Sequence, residues 1–186
     1  MKRIFVSDCE GPISKNDNAF ELTENFIPNG DRLFSNVSKY DDIVADILHK
    51  KDYCAGSTLR LILPFFKAYG VKDEQMEKFS SQNIILVANT HTTLSYIQSI
   101  ASSFIVSTSY EHYIKALCKV VDFPYKNTYC TKMRLNKLGI TPQEKERLRE
   151  MAQEIAQMPL IDIPPNAKSL EDFSVKDTVT KYRRKK

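Results

Sequence analysis

Two carboxylates near the start of the sequence are the residues best placed to do chemistry. Asp8 and Glu10 stand two positions apart, after the apolar segment 4–6 and just before Gly11 and Pro12. Residues i and i+2 of an extended chain face the same way, so both acids should project beyond the carboxyl end of a short strand. Close carboxylates repel each other unless a cation or a shared proton lies between them. The pattern predicts metal-assisted phosphoryl transfer, with one carboxylate attacking and the other handling the proton. The alternative is a polar turn with solvated acids.

Three hydroxyl residues follow a second apolar segment. Ser107, Thr108 and Ser109 come directly after 103–106, which predicts a strand, and a helix is predicted from Tyr110 onward. The end of a strand and the start of a helix present unpaired backbone N–H groups that suit a phosphate. A hydroxyl at the end of the strand can donate to a phosphoryl oxygen, and Ser107 is the choice by position, with Thr108 second. The alternative is an ordinary strand followed by a capping hydroxyl.

The two segments together resemble motifs I and II of the haloacid dehalogenase-like (HAD) superfamily of phosphatases and phosphotransferases. Motif I of that superfamily reads Asp-x-Asp-Gly after an apolar strand, and residues 8–11 here read Asp-Cys-Glu-Gly. The resemblance implies an α/β fold, a HAD-like (Rossmannoid) parallel sheet with helices on both faces and a helical cap insertion. Segments 8–17 and 105–111 look like an archaeal branch, some members of which are named as a subunit associated with the energy-converting hydrogenase of methanogens.

The resemblance also implies roles for individual residues. Asp8 would be the nucleophile of a Mg²⁺-dependent phosphohydrolase acting on a small phosphomonoester, and Glu10 would be its acid and base. Ser107 would orient the phosphoryl group. The expected site residues are Asp8, Glu10 and Ser107 for catalysis, Gly11, Thr108 and Ser109 for substrate, and Asp8 with Glu10 for the metal. Glu10 is one methylene longer than the usual Asp, and a displacement of about 1 Å can cost on the order of 10²-fold in rate. The alternative function is therefore a weakly active or non-catalytic accessory subunit of an archaeal hydrogenase or redox complex.

The periodicity of apolar residues predicts the domain organisation. Residues 1–30 and 89–135 should form the α/β core, 31–88 a helical cap, and 136–186 a second helical insertion with a basic tail. Segment 83–87 fits either a strand or a buried helical turn. Residues 28–30 should end the first helical segment, and the apolar helix after Thr58 should kink at Pro64 or end just before it. Residues 127–131 fit a third strand. Thr141, Pro142 and Glu144 predict a capped start for a charged helix that reaches Gln157. Cys9, between the two acids, is expected to be a packing residue. No secure motif III lysine or motif IV acidic pair follows residue 131. Either the chain stops inside the second insertion, or it is a complete protein that lost these acids. Truncation is favoured, because three strands make a thin sheet.

Composition narrows the class of protein. The 186 residues are 42% hydrophobic and 27% charged, which suits one ordinary domain with an insertion. Much of the net charge of +4 lies in the last six residues, which contain Lys181, Arg183, Arg184, Lys185 and Lys186. Without interleaved aromatic residues this run does not favour nucleic-acid binding, and a basic-tailed binding protein is the third alternative.

Cysteine usage and hydropathy predict the compartment. The four cysteines Cys9, Cys54, Cys118 and Cys130 lie far apart, without the spacing of a zinc or thioredoxin site. No signal peptide and no apolar run of about 20 residues is visible. A cytoplasmic protein with free thiols and no membrane span is expected, its partners being a small phosphorylated molecule and, in the alternative, a protein complex.

Overall fold

The computed structural model describes residues 3–53 and 56–173, and it confirms the α/β class. The strands are β1 (Ile4–Ser7), β2 (Ser102–Tyr110) and β3 (Thr128–Thr131). The α-helices are α1 (Asn18–Phe26), α2 (Gly30–Asp42), α3 (Thr58–Ala68), α4 (Asp73–Gln82), α5 (Thr90–Ile100), α6 (Glu111–Val120) and α7 (Pro142–Gln157). A π-helical turn, Ile43–Ile47, continues α2, and three short 3₁₀ turns complete the described elements.

The three strands form one parallel sheet in the order β1-β2-β3. Along β1 and β2 the register runs from Ile4 opposite Ser102 to Ser7 opposite Ile105. Parallel strands end at the same edge of a sheet, so the segments that follow β1 and β2 emerge on the same side. This topology positions the acidic segment and the hydroxyl segment as neighbours.

Strand β2 is longer than the sequence pattern predicts. The expected strand covered residues 103–106, whereas β2 continues to Tyr110, and its register with β3 is irregular between Val106 and Tyr110. Tyr110 is fully buried, and its burial favours keeping the chain extended until the helix begins. The hydroxyl residues 107–109 therefore lie within the irregular last part of the strand and not after it.

Helices cover one face of the sheet. Ile105 of β2 packs with Tyr113, Ile114 and Leu117 of α6, all of them fully buried, and Phe5 of β1 packs against the same cluster. Full burial of each such side chain contributes roughly 1.5–3 kcal/mol. The amphipathic pattern of α6 thus fixes the helix on the sheet face that carries Phe5 and Ile105.

The chain folds into two compact units. One contains Met1–Leu22 and Val71–Gly139, and the other contains Thr23–Gly70 and Ile140–Lys186. The first unit holds the sheet with α4, α5 and α6, and the second holds α2, α3 and α7. These units join segments that the sequence analysis assigned to different regions, and the domain boundaries given there stay a prediction.

Capping and hydrogen bonds fix the helices of the second unit. Thr141 and Glu144 form the predicted capping box, with Pro142 in the first helical turn of α7. Arg32 and Asn36 of α2 donate to carbonyl oxygens near the end of α7, at 2.8 and 3.0 Å. The carboxyl end of α7 is thereby tied to α2 by side chains that satisfy its unpaired carbonyls.

Chain reversal between α1 and α2 depends on Gly30. A Cβ atom at this position would collide with the carbonyl oxygen of Thr23 in the backbone of α1. The preceding residue, Asn29, has a left-handed φ of 53°. The predicted break at 28–30 is therefore a reversal without space for a side chain at Gly30.

The structure also tests the predictions made for Pro64, for segment 83–87 and for membrane-spanning helices. Pro64 lies inside α3, which runs on to Ala68 and does not end before the proline. Segment 83–87 forms neither a strand nor a helix, and only Leu86 makes an isolated bridge, to Ser14. Across residues 3–53 and 56–173, no helix has the length and apolarity needed to cross a membrane. The basic run 181–186 and Cys54 lie outside the described residues.

Candidate active site

A tight turn follows β1 and carries both acids. The carbonyl oxygen of Cys9 accepts the N–H groups of Ile13 and Ser14, each at 3.0 Å, and Gly11 has a φ of +99° that favours glycine. Because β1 ends at Ser7, Asp8 and Glu10 lie on the turn and not on an extended strand. The expectation that both acids face the same way by strand alternation is therefore wrong in its premise.

Asp8 is the exposed acid of this turn. Its Oδ1 accepts the N–H of Cys9 at 2.6 Å, which fixes the carboxylate close to the backbone. Cys9 itself is fully buried in the core beneath the turn, which confirms its predicted packing role. Burial raises the pKa of the Cys9 thiol to about 12, so this side chain stays neutral. An anchored, solvent-accessible carboxylate at position 8 is available to a ligand.

Glu10 is half-buried and points toward the start of α1. Its Oε1 accepts the backbone N–H of Asn18 at 2.9 Å. The pKa of Glu10 is raised to about 7, chiefly by burial and also by the charges of Asp17 and Asp8, against the lowering effect of the Asn18 N–H and the Ser109 hydroxyl. A carboxyl group with this pKa holds a proton in a large fraction of molecules at neutral pH, which suits a general acid.

Ser109 connects the turn to β2. Its hydroxyl faces the Glu10 carboxyl, whose pKa it helps to lower, and it accepts a hydrogen bond from the Ser107 hydroxyl at 3.0 Å. The N–H of Ser109 also donates to Ser107 Oγ at 3.2 Å. Ser109 is only 2% exposed, whereas Ser107 is half-buried. Ser109 therefore joins Ser107, its neighbour on β2, to Glu10 on the turn that follows β1.

The structure brings some of the predicted site residues together and leaves others apart. Glu10, Ser107 and Ser109 are linked, whereas no hydrogen bond joins Asp8 to Ser107 within the described residues. The side chain of Thr108 is exposed, and its carbonyl oxygen accepts the Thr131 hydroxyl of β3 at 2.5 Å. Ser109 was expected to act through its backbone amide, but the buried hydroxyl is the group that makes the link. Its i, i+2 spacing from Ser107 is a signal from which a shared strand face could have been predicted.

No ready-made metal cage accompanies these residues. Within residues 3–53 and 56–173, no group of three or more His, Cys, Asp and Glu side chains is arranged to hold a metal ion. The assignment of Asp8 and Glu10 as metal ligands therefore stays a prediction. Cys9, Cys118 and Cys130 are free thiols, as expected.

The residue pattern gave no indication of a buried Asp–His pair in the same unit. Asp73 Oδ1 lies 3.0 Å from His112 Nε2 and accepts the N–H of Leu135 at 3.0 Å, while Oδ2 accepts the N–H of Asn136 at 3.1 Å. Burial acts to raise the pKa of Asp73, but these donors outweigh it and lower the pKa. The pair spans 39 positions and carries no local signal, so only the tertiary fold reveals it.

The chain is similar to a solved archaeal structure. No family model matches the chain, and no curated protein matches it. The fold is similar to that of gene product AF1437 from Archaeoglobus fulgidus, with a TM-score of 0.80 and 28% sequence identity over 86% of this chain and 50% of that chain. The present chain thus spans about half the length of that neighbour.

Proposed function

We propose that this chain is a HAD-like phosphohydrolase that cleaves a small phosphomonoester through an aspartyl-phosphate intermediate. The observation that carries the proposal is the cluster of Glu10, Ser109 and Ser107 beside the turn that holds the exposed carboxylate of Asp8. In this proposal Asp8 is the nucleophile, Glu10 the proton carrier and Ser107 the hydroxyl donor, near the carboxyl ends of two adjacent parallel strands, where ligands bind in open α/β sheets. The finer HAD-like architecture, with its cap, belongs to the same proposal.

The residues would divide the reaction into two steps. Asp8 attacks phosphorus, the bond to the leaving oxygen breaks, and protonated Glu10 gives its proton to that oxygen. Glu10, now a carboxylate, takes a proton from water, which attacks the phosphoaspartate and releases phosphate with Asp8 regenerated. The pKa of Glu10 near 7 supports both halves of this cycle, because the group gains and loses a proton easily at neutral pH.

The donor atoms of the turn suit Mg²⁺ in part. This ion is usually bound through one or two carboxylates, substrate phosphate and water, and Asp8 offers an exposed hard oxygen donor. Asp8 and the backbone carbonyl of Glu10 would hold the ion. Its chemistry, when bound, would be to neutralise charge on the transferring phosphoryl group. The positioning steps assigned to Ser107 and Ser109 do not depend on it.

The test is hydrolysis of a generic phosphomonoester, p-nitrophenyl phosphate, with Mg²⁺ and with EDTA. Asp8→Asn should lower kcat/KM by at least about 10³-fold, because it removes the nucleophile. Asp17→Asn is the matched control, since Asp17 is exposed on the same loop and caps Phe20 N at 3.1 Å. It should retain most of the activity. Equal activity of Asp8→Asn and the unchanged chain would refute the nucleophile.

A second candidate, the accessory subunit of a redox or hydrogenase complex, has one observation in its favour. The Glu10 carboxyl is already engaged by Asn18 and Ser109, and the Ser107 hydroxyl donates to Ser109, so each group must exchange a partner to serve a substrate. Activity that does not depend on Asp8, together with stoichiometric copurification of a redox protein from an archaeal extract, would favour this candidate over the hydrolase.

A further inference from the structure

Three charged side chains meet beside the carboxyl ends of β2 and β3. One oxygen of the Glu111 carboxylate lies 2.7 Å from the Lys115 ammonium, and the other lies 3.2 Å from the Arg134 guanidinium. The side chain of Glu111 is only 6% exposed, whereas that of Arg134 is 45% exposed. The Tyr125 hydroxyl also donates to the Glu111 carboxylate, at 3.4 Å. We call Glu111, Lys115 and Arg134 the charged cluster.

The charged cluster has one more cation than it has anions, because Lys115 and Arg134 share a single carboxylate. Burial acts to raise the pKa of Glu111, but the two cations outweigh it and lower the pKa, so the carboxylate stays ionised at neutral pH. Glu111 orients the Arg134 guanidinium through one nitrogen, Nη1. A guanidinium carries five N–H donors in a planar fork, so Arg134 can bind a second carboxylate or a phosphate while it keeps this contact.

The topology of the sheet brings the charged cluster close to the candidate active site. Glu111 comes directly after β2 and two positions after Ser109, so the Cα atoms of Glu111 and Ser109 are at most roughly 7 Å apart. Arg134 lies three positions after the end of β3. Because β1, β2 and β3 are parallel, Arg134 and Asp8 follow strands that end at the same edge of the sheet.

The strand order also separates the two ends of this edge. Asp8 follows β1 and Arg134 follows β3, with β2 between them. Neighbouring strands are about 4.8 Å apart, so the ends of β1 and β3 are roughly 10 Å apart. A phosphoryl group beside Asp8 and an anion bound by Arg134 are therefore most simply two different groups of one molecule.

We propose that the substrate is a phosphomonoester with a second anionic group, a carboxylate or another phosphate, and that Arg134 binds this second group. The inference rests on the proposed function, because it names the substrate class of the same site. Glu111 holds the Arg134 guanidinium in place before the substrate arrives, which lowers the entropy cost of binding. Lys115 stays beside the Glu111 carboxylate when Arg134 engages the substrate.

The test compares substrate pairs whose members differ in the second anion. Release of inorganic phosphate in the presence of Mg²⁺ is measured for 3-phosphoglycerate against glycerol 3-phosphate, and for fructose 1,6-bisphosphate against fructose 6-phosphate. In at least one pair, kcat/KM should be about 10- to 100-fold higher for the member with the second anion, because a hydrogen bond between charged groups contributes that much. A preference in the first pair identifies a carboxylate, and one in the second pair identifies a phosphate. Equal values within both pairs would overturn the proposal.

Variants of Arg134 connect the preference to this side chain. Arg134→Gln should remove the preference and leave kcat/KM for glycerol 3-phosphate and fructose 6-phosphate unchanged. Arg134→Lys should keep part of the preference, since lysine retains the charge but not the planar fork. Lys137→Gln, which removes an exposed cation from the 3₁₀ turn Leu135–Lys137, is the matched control and should keep the full preference. A preference that survives in Arg134→Gln would rule out the role of this residue.

The same data distinguish a failure of this inference from a failure of the proposed function. If the proposed function is wrong, Asp8→Asn changes the hydrolysis of none of the four substrates, and the inference fails with it. If only the inference is wrong, Asp8→Asn still abolishes hydrolysis, but the two members of each pair are hydrolysed equally well. Urea denaturation should show a similar midpoint for Arg134→Gln and the unchanged chain, because an exposed ion pair contributes little to stability.

Discussion

Two partly buried carboxylates of the sheet-containing unit differ in what surrounds them. Asp73 accepts two backbone N–H groups and faces His112, and its pKa is lowered despite burial. Glu10 is held by one backbone N–H and by Ser109, with Asp17 and Asp8 nearby, and its pKa is raised to about 7. Burial alone therefore does not decide the protonation of a carboxyl group, since the number and charge of the hydrogen-bond donors can outweigh desolvation.

The two groups accordingly suit different tasks. A carboxylate that stays ionised and accepts three donors joins α4, α6 and the segment at 135–136, and this is a structural role. A carboxyl group that changes protonation near neutral pH suits a proton carrier.

Removing the charge of Asp73 should have the largest effect on stability. Asp73→Asn leaves two backbone N–H groups without their anionic acceptor and His112 without its partner, so the free energy of unfolding should fall by about 3–5 kcal/mol. Urea denaturation followed by circular dichroism measures it. Glu77→Gln, an exposed change on the same helix, should leave the midpoint unaltered. A loss of less than about 1 kcal/mol in the free energy of unfolding of Asp73→Asn would contradict this role, because exposed pairs contribute no more than that.

The two carboxylates should give stability profiles of opposite sign with pH. The folded pKa of Glu10, about 7, exceeds the ordinary glutamate value of 4.5, so the folded state binds the extra proton and stability falls as pH rises from about 4.5 to 7. The loss is up to about 3 kcal/mol. Asp73 contributes stability that is present above pH 3.8 and is lost as pH falls through its lowered pKa.

Denaturation in EDTA at several pH values measures this profile. Glu10→Gln should remove the decline between pH 5 and 7 and leave the acid limb of Asp73 in place. A flat profile for the unchanged chain over that interval would mean that Glu10 titrates as an ordinary surface acid.

Ser109→Ala should have the smallest effect and the most specific one. Loss of one hydrogen bond to a charged group costs about 1–3 kcal/mol. Because Ser109 stabilises the ionised form of Glu10, its removal should move the pKa of Glu10 above about 7. The carboxyl ¹³C shift of Glu10 reports the titration. Thr108→Ala, at the exposed neighbouring position, should leave that titration in place, and an equal shift in both variants would contradict the role of Ser109.

Local patterns of sequence predicted the local parts of the fold. The Thr141–Glu144 capping box and the core position of Cys9 each depend on residues within a few positions, and both are confirmed. The third strand was expected at 127–131 and is found at Thr128–Thr131. The predicted end of β2 at residue 106 was wrong, because the burial of Tyr110 extends the strand beyond what a run of hydroxyl residues suggests.

The candidate site was predictable only in its components. The residue types at 8, 10 and 107–109 indicated a phosphate site, but the Glu10–Ser109 link depends on how the turn after β1 folds back toward α1. The pairing of Asp73 with His112 and the contact of α2 with α7 join positions far apart in sequence. No periodicity carries such information, because it arises only when the chain is compact.

Gly30 has a consequence for recognising proteins with this fold. Its α-carbon faces the Thr23 carbonyl with no space for even a methyl group. Solvent-facing positions along α2 tolerate drift, but a substitution here would force two helical backbones apart. Divergent chains that keep this reversal should keep glycine at the equivalent position. That glycine would then mark the start of the second helix even where the rest of the sequence has changed.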